Sequence, residues 1–183
     1  MIKESIEEYV KALNTLAAFH HHPPQGRENA AIKNFVAPTH LHDFVLKHGE
    51  IWQGQKLPSK YRLRPIKRCF QNTYNLVRRS KALTYCEGFV ASREIPLTIH
   101  HAWAVNAKDE VIDTTLRGYH DLTASGGNRA EYMGVRFPTW FLRAYWLGSM
   151  LDCEYRGFRL DVIEAYERQV ANYYLKTKVL AAS

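Results

Sequence analysis

From Leu83 to Thr115 the sequence gives up helical spacing and takes on the period of two, in three segments with little chain between them. "LTYCEGFVA" (83–91) and "LTIHHAWAV" (97–105) are rich in β-branched and aromatic residues, "NAKDE" (106–110) has turn composition, and "VIDTT" (111–115) is β-rich again. Strands connected this closely must run antiparallel, because a parallel pair needs a crossover of a dozen or more residues. The chain is therefore expected to hold an antiparallel sheet of at least three strands. Gly88, inside the first of them, marks a bulge or a close backbone approach.

Helical patterns flank this block. "SIEEYVKALNTLAAF" (5–19) opens with a capping box, Ser5 and Glu8, and places Ile6, Tyr9, Val10, Leu13, Leu16 and Ala17 on one face. The paired prolines of "HHHPPQG" (20–26) end it. "HLHDFVLKHG" (40–49) is expected to be a short helix closed by Gly49, and "IWQGQKLPSK" (51–60) a loop. "CFQNTYNLVRRSKA" (69–82) has Phe70, Tyr74 and Val77 at helical spacing, which puts Cys69 at a helix N-terminus. "TASGGNRAEYMG" (123–134) is expected to be a flexible loop. "PTWFLRAYWLGSML" (138–151) is helical, with Thr139 as its cap, and a last helix starts near Asp161 with Ile163, Tyr166, Val170 and Tyr173 on one stripe. The order helices, sheet, helices describes an α+β domain.

With 183 residues, 46% of them hydrophobic, the chain fits a single domain. It divides into an N-terminal helical part (about 1–60), a core (about 61–120) and a C-terminal helical part (about 130–183). No apolar run approaches the length of a membrane span, and "MIKESIEEYV" has no long apolar stretch, so a soluble cytoplasmic protein is expected. Cys69, Cys86 and Cys153 form no CxxC pair, which argues against zinc ribbons, thioredoxin-like motifs and a disulfide scaffold. His20, His21 and His22 with His40 and His42 match no metal-ligand spacing, so neither metal nor organic cofactor is expected. The net charge of +7 clusters in "KYRLRPIKR" (60–68) and "RRSK" (78–81), a solvated basic face or a surface for nucleic acid or an acidic partner.

The chemistry concentrates in the strands. In "TIHHAWAV" (98–105), Ile99, His101, Trp103 and Val105 share one face, and His100, Ala102 and Ala104 the other. If the hairpin loop has three or five residues, Val105 pairs with Val111 and Trp103 with Asp113. His101 and Asp113 are then diagonal neighbours on one face. An even loop separates them. A carboxylate beside an imidazole fixes its tautomer and stabilises the imidazolium, as a general base requires. Cys69 supplies the nucleophile, because a thiol at a helix N-terminus beside Lys67 and Arg68 is biased toward thiolate.

"HAWAVNAKDEVIDTT" resembles the His and Asp strands of the transglutaminase-like (papain-like) cysteine enzymes, in which a histidine, a small residue and Trp precede an Asp on the next strand. "RCFQNTYNLVRRS" is similar to their nucleophile helix and "YCEGFV" to the strand that follows, so the likeness spans roughly residues 65–118. The segment, with "YMGVRF" (132–137) after it, also resembles small uncharacterised proteins of phage and bacterial genomes. The resemblance implies a nucleophile helix packed on an antiparallel sheet, with Cys69 as nucleophile, His101 as general base and acid, and Asp113 as orienter. Thr114 stands where proline is common, and His100 lies outside the motif. The oxyanion helper of such enzymes is often a Gln, Trp or Tyr upstream of the Cys, which makes Trp52, Gln53 and Gln55 candidates. Trp103 and the run Trp140, Phe141, Tyr145 and Trp146 could wall the cleft, although core packing is the expected role of most of them.

The expected activity is cysteine-dependent acyl transfer on an amide or related acyl bond of a protein, peptide or small molecule. Protease, deamidase, amidase and transglutaminase share this chemistry, and the acceptor decides between them. The alternative is a non-catalytic binding module on the same fold, with nucleic acid on the basic stretch at 60–81. Cys86 is expected to be buried, His100 structural, and Glu87 either a hydrogen-bond acceptor behind the site or a solvent-side residue.

Overall fold

The computed structural model describes residues 6–8, 10–11, 38–92, 95–116, 130–150 and 160–171. The elements, in chain order, are α1 (Pro38–His48), β1 (Glu50–Gln53), α2 (Cys69–Val77), β2 (Leu83–Ser92), β3 (Ile95–Asn106), β4 (Val111–Ile112), β5 (Glu131–Phe137), α3 (Thr139–Met150) and α4 (Leu160–Tyr166), which runs into a π-helical turn at Glu167–Ala171. Five strands form one sheet in the order β1-β5-β2-β3-β4, and every neighbouring pair is antiparallel. The architecture is α+β.

Period two divides the sheet into two faces. Tyr85, Phe89, Ala102, Ala104, Met133 and Val135 point to the side where the helices pack, bringing Phe44 and Val45 of α1, Val77 of α2, Phe141 and Leu142 of α3, and Ile163 and Tyr166 of α4 into one core. Ile6 and Val10 of the N-terminal helical pattern join the same core. The other face holds a smaller cluster of Trp52, Cys86, Val90, Trp103, Val105, Val111 and Tyr132. Arg136 closes over it, 5.0 Å above the Trp52 ring, with two bonds to Glu50 (2.9 Å each) and one to Asp109 (2.8 Å).

The β2–β3–β4 block matches its expected order, and α1 runs from Pro38 to the turn closed by Gly49, whose N–H donates to the Val45 carbonyl at 2.7 Å. Gly88 marks a close approach: a Cβ there would overlap the Met133 carbonyl and the Gly134 Cα, while the bulge of β2 lies between Val90 and Ser92. Four expectations need correction. The segment expected as a loop from Ile51 opens with β1, because residues 50–53 find a partner in Glu131–Gly134 that no local pattern announces. Those partner residues were also expected as loop, within 123–134, and instead begin β5 between β1 and β2. "VIDTT" is strand only at Val111–Ile112, since the Asp113 side chain takes the N–H groups of Thr115 (2.8 Å) and Leu116 (3.2 Å) into a turn. The helix from Cys69 stops at Val77, five residues short of its expected end.

The remaining helices begin close to their expected starts. Leu142 N–H donates to Pro138 (3.1 Å), which makes Pro138 rather than Thr139 the capping position of α3. Tyr9, Leu13, Leu16, Ala17, the 20–26 histidine–proline run, Cys153 and Tyr173 lie outside the described residues.

Candidate active site

The β3–β4 hairpin fixes the first two members of the site. Its loop has five residues, 106–110, and Val105 pairs with Val111, as the odd-loop alternative requires. Asn106 builds the loop: its Oδ1 accepts from Lys108 N (2.9 Å) and Glu110 N (3.0 Å), and its Nδ2 donates to Glu110 (2.6 Å). Asp109 takes the left-handed conformation (φ 61°) that brings the chain round. With this register His101 and Asp113 fall on one face, and His101 Nε2 lies 2.8 Å from Asp113 Oδ2.

Asp113 is held from four directions. Tyr132, reaching across from β5, donates its hydroxyl to Oδ2 at 2.9 Å, and the backbone N–H groups of Thr115 and Leu116 donate to Oδ1. Burial alone would raise the carboxyl, but the charge of His101, its hydrogen bond and the two backbone donors hold it below the ordinary 3.8. Burial likewise works against the imidazolium of His101. The Asp113 charge and bond, with a smaller contribution from a side-chain bond to Cys69, outweigh it and lift His101 from 6.5 to about 9. Because Nε2 is engaged by Asp113, Nδ1 is the nitrogen left to face the thiol.

Cys69 comes to His101 on α2. The buried residues of that helix are Cys69, Asn72, Thr73 and Val77, a spacing that gives one inward face. Thr73 Oγ1 donates to the Ala102 carbonyl, next to His101, at 3.0 Å and pins the helix to β3. Asn72 Nδ2 donates to the Pro65 carbonyl (2.8 Å) and to Thr115 Oγ1 (3.1 Å), tying α2 to the turn that holds Asp113. Lys67, two residues before Cys69, has φ 63°, a costly conformation for a side chain that is neither Gly nor Asn. Cys69 is only 9% exposed, and His101 and Asp113 less. First-turn N–H groups of a helix lack partners within it, so Cys69 stands where backbone donors can face an oxyanion.

The helper candidates separate. Trp52 is buried edge-on against Trp103 and beneath Arg136. Gln53 is exposed on the edge strand, bonded to Glu131 at 3.3 Å. Gln55 donates to the Val111 carbonyl at 3.4 Å, two residues from Asp113. Trp103 is fully buried between Trp52 and Tyr132, so it supports His101 from within the core and does not wall a cleft. Phe141 is likewise core, Trp140 is exposed, and the side chains of Tyr145 and Trp146 are outside the described set.

His100 points to the helical face, where its Nε2 lies 3.0 Å from Oε1 of the fully buried Glu87 and its ring packs on Phe70 and Phe89. Glu87 also accepts from Tyr85 (2.8 Å), which settles it as a buried acceptor rather than a solvent-side residue. Cys86, opposite in direction, is fully buried, and burial pushes its thiol well above the ordinary value. Tyr132 and Asn72 are the site residues that sequence reasoning passed over. Among the described residues no group of three His, Cys, Asp or Glu side chains could hold a metal ion, and no helix is long and apolar enough to cross a membrane. No family model, curated protein or solved structure matches the chain.

Proposed function

We propose that the chain is a transglutaminase-like cysteine enzyme that transfers an acyl group from an amide or related donor. The observation that carries this reading is the buried His101–Asp113 pair, 2.8 Å apart, with the thiol of Cys69 brought toward the same ring at the start of α2. The thiolate of Cys69 attacks the acyl carbon while the imidazolium of His101 holds the proton the thiol gave up. The tetrahedral intermediate collapses, the C–N bond breaks, and His101 delivers its proton to the departing amine, leaving a thioester on Cys69. Water, deprotonated by His101, then gives hydrolysis, and an amine in its place gives transamidation. Asp113 remains ionised throughout, orients the ring and stabilises its charged form. Tyr132, Thr115 and Leu116 hold the carboxylate in place.

Limiting iodoacetamide at mildly acidic pH, followed by peptide mapping, tests the reading. Alkylation is expected at Cys69 in preference to buried Cys86, and His101→Ala is expected to abolish the preference. Uniform labelling, or none at Cys69, would overturn the assignment and favour a binding module on this framework.

A further inference from the structure

The excess charge of this chain has a sharp location. Residues 51–86 contain nine Lys and Arg and no Asp or Glu, so the rest of the chain together carries a net charge of −2. Cys69 stands in the middle of that stretch. The part that leads into it is a strap, residues 60–68, fastened at two points: Arg64 N–H donates to the Thr114 carbonyl (2.7 Å), beside Asp113, and the Pro65 carbonyl accepts from Asn72. Its backbone is therefore held against both the orienter and the nucleophile helix.

Most side chains of the strap face outward, while Tyr61 packs against the main core and Arg64 is half-buried. Lys60, Arg62, Lys67 and Arg68 are exposed, and none of them forms an ion pair among the described residues. Between these cations stand two large apolar side chains, Leu63 at 46% and Ile66 at 56% exposure. A solvated basic face has no need of isoleucine and leucine on a fixed backbone. Apolar side chains set among unpaired cations suit a partner with the same alternation and the opposite charge. A nucleic acid satisfies the charge but offers nothing aliphatic to Leu63 and Ile66, and the one aromatic side chain of the strap, Tyr61, is half-buried against the core beneath Lys60.

Building on the acyl-transfer reading, we infer that the acyl donor is carried on an acidic polypeptide, whose carboxylates and interspersed aliphatic side chains lie along residues 60–68 and so bring the chain across Cys69. The strap sets which substrate is presented; Cys69, His101 and Asp113 act on it. The cations speed encounter with an acidic chain, and Leu63 and Ile66 distinguish a polypeptide from any other polyanion.

The test uses the full chain and a fluorescein-labelled (Glu-Leu-Glu-Gly)5 peptide, with (Lys-Leu-Lys-Gly)5 and a 20-residue oligothymidylate as comparisons, read by anisotropy at low and high salt. The acidic peptide is expected to bind, to weaken with salt, and to protect Cys69 from iodoacetamide. The Arg62→Glu, Lys67→Glu, Arg68→Glu triple variant is expected to lose about tenfold or more in affinity with an unchanged thermal midpoint. Leu63→Ser with Ile66→Ser should also weaken the peptide while leaving any oligothymidylate binding as it was. Charge reversal at Arg78, Arg79 and Lys81, beyond the far end of α2, should cost much less than reversal on the strap. Tighter binding of oligothymidylate, binding without protection of Cys69, or equal losses from the two reversals would each overturn the inference. His101→Ala separates the two levels: it removes selective alkylation if the triad operates, yet leaves peptide affinity intact if the strap does the binding.

Discussion

Replacing Asp113 with Asn tests how much of the folded state rests on the His101–Asp113 pair. The comparison belongs in a Cys69→Ala background, so that proton exchange between thiol and imidazole does not enter. His101 is raised in the folded chain, from 6.5 to about 9, against burial, and the two largest contributions that raise it come from Asp113. The stability a raised histidine contributes is fully present below its unfolded value of 6.5 and is lost as pH rises through about 9. Over that interval the folded chain binds one more proton than the unfolded chain, a slope of ~1.4 kcal/mol per pH unit, for a total of about 2–3 kcal/mol once the smaller Cys69 contribution is removed. With Asn at position 113 the opposing effect of burial remains, the ring is neutral throughout the window, and that slope disappears. Urea unfolding followed by the fluorescence of the buried Trp52 and Trp103, from pH 6 to 9.5, reads the difference. Other groups titrate alike in both proteins, so the difference of slopes is the quantity of interest. Parallel pH dependence in the two proteins would refute the coupling and with it the case for Asp113 as orienter.

Other perturbations separate the supports of the site. Tyr132→Phe deletes the hydroxyl that donates to Asp113 Oδ2 and should cost about 1–2 kcal/mol in urea unfolding, with a smaller loss of acyl-transfer rate than Asp113→Asn causes. Asn72→Ala strands the Pro65 carbonyl and the buried Thr115 hydroxyl, and a loss of about 2 kcal/mol is expected together with slower alkylation of Cys69 by iodoacetamide. Gly88→Ala drives a Cβ into the Met133 carbonyl and the Gly134 Cα, where only backbone could yield, and should abolish the cooperative thermal transition seen by circular dichroism.

The parts of the site that could be read from the sequence are those set by local rules. Alternation along β3 assigns His101 and Trp103 to one face and His100 to the other, and the five-residue loop then brings Asp113 under His101. Helical spacing from Cys69 onward places the thiol at the start of α2. What escaped depends on partners distant in the chain. Residues 50–53 become a strand only because β5 lies beside them, and Tyr132 reaches Asp113 only because β5 inserts between β1 and β2. The early end of β4 did carry a local signal: an Asp followed by two threonines favours a side-chain-to-backbone turn over continued pairing. Whether Trp103 is core or cleft wall has no local answer for a related reason, since which large aromatics are covered depends on Trp52 and Tyr132 arriving from other strands.

The Asn72 amide touches both the strap before Cys69 and the turn that holds Asp113, and this has a consequence for how the site comes apart. Segments knotted at one side chain cannot open separately without leaving buried polar groups bare. α2, the strap and the Asp113 turn should therefore detach as a single foldon, with the amide hydrogens of Asn72, Arg64 and Thr115 exchanging at one common opening free energy. A chain built this way keeps Cys69, His101 and Asp113 either fully assembled or fully dispersed, and spends little time with the thiol detached from the imidazole beside it.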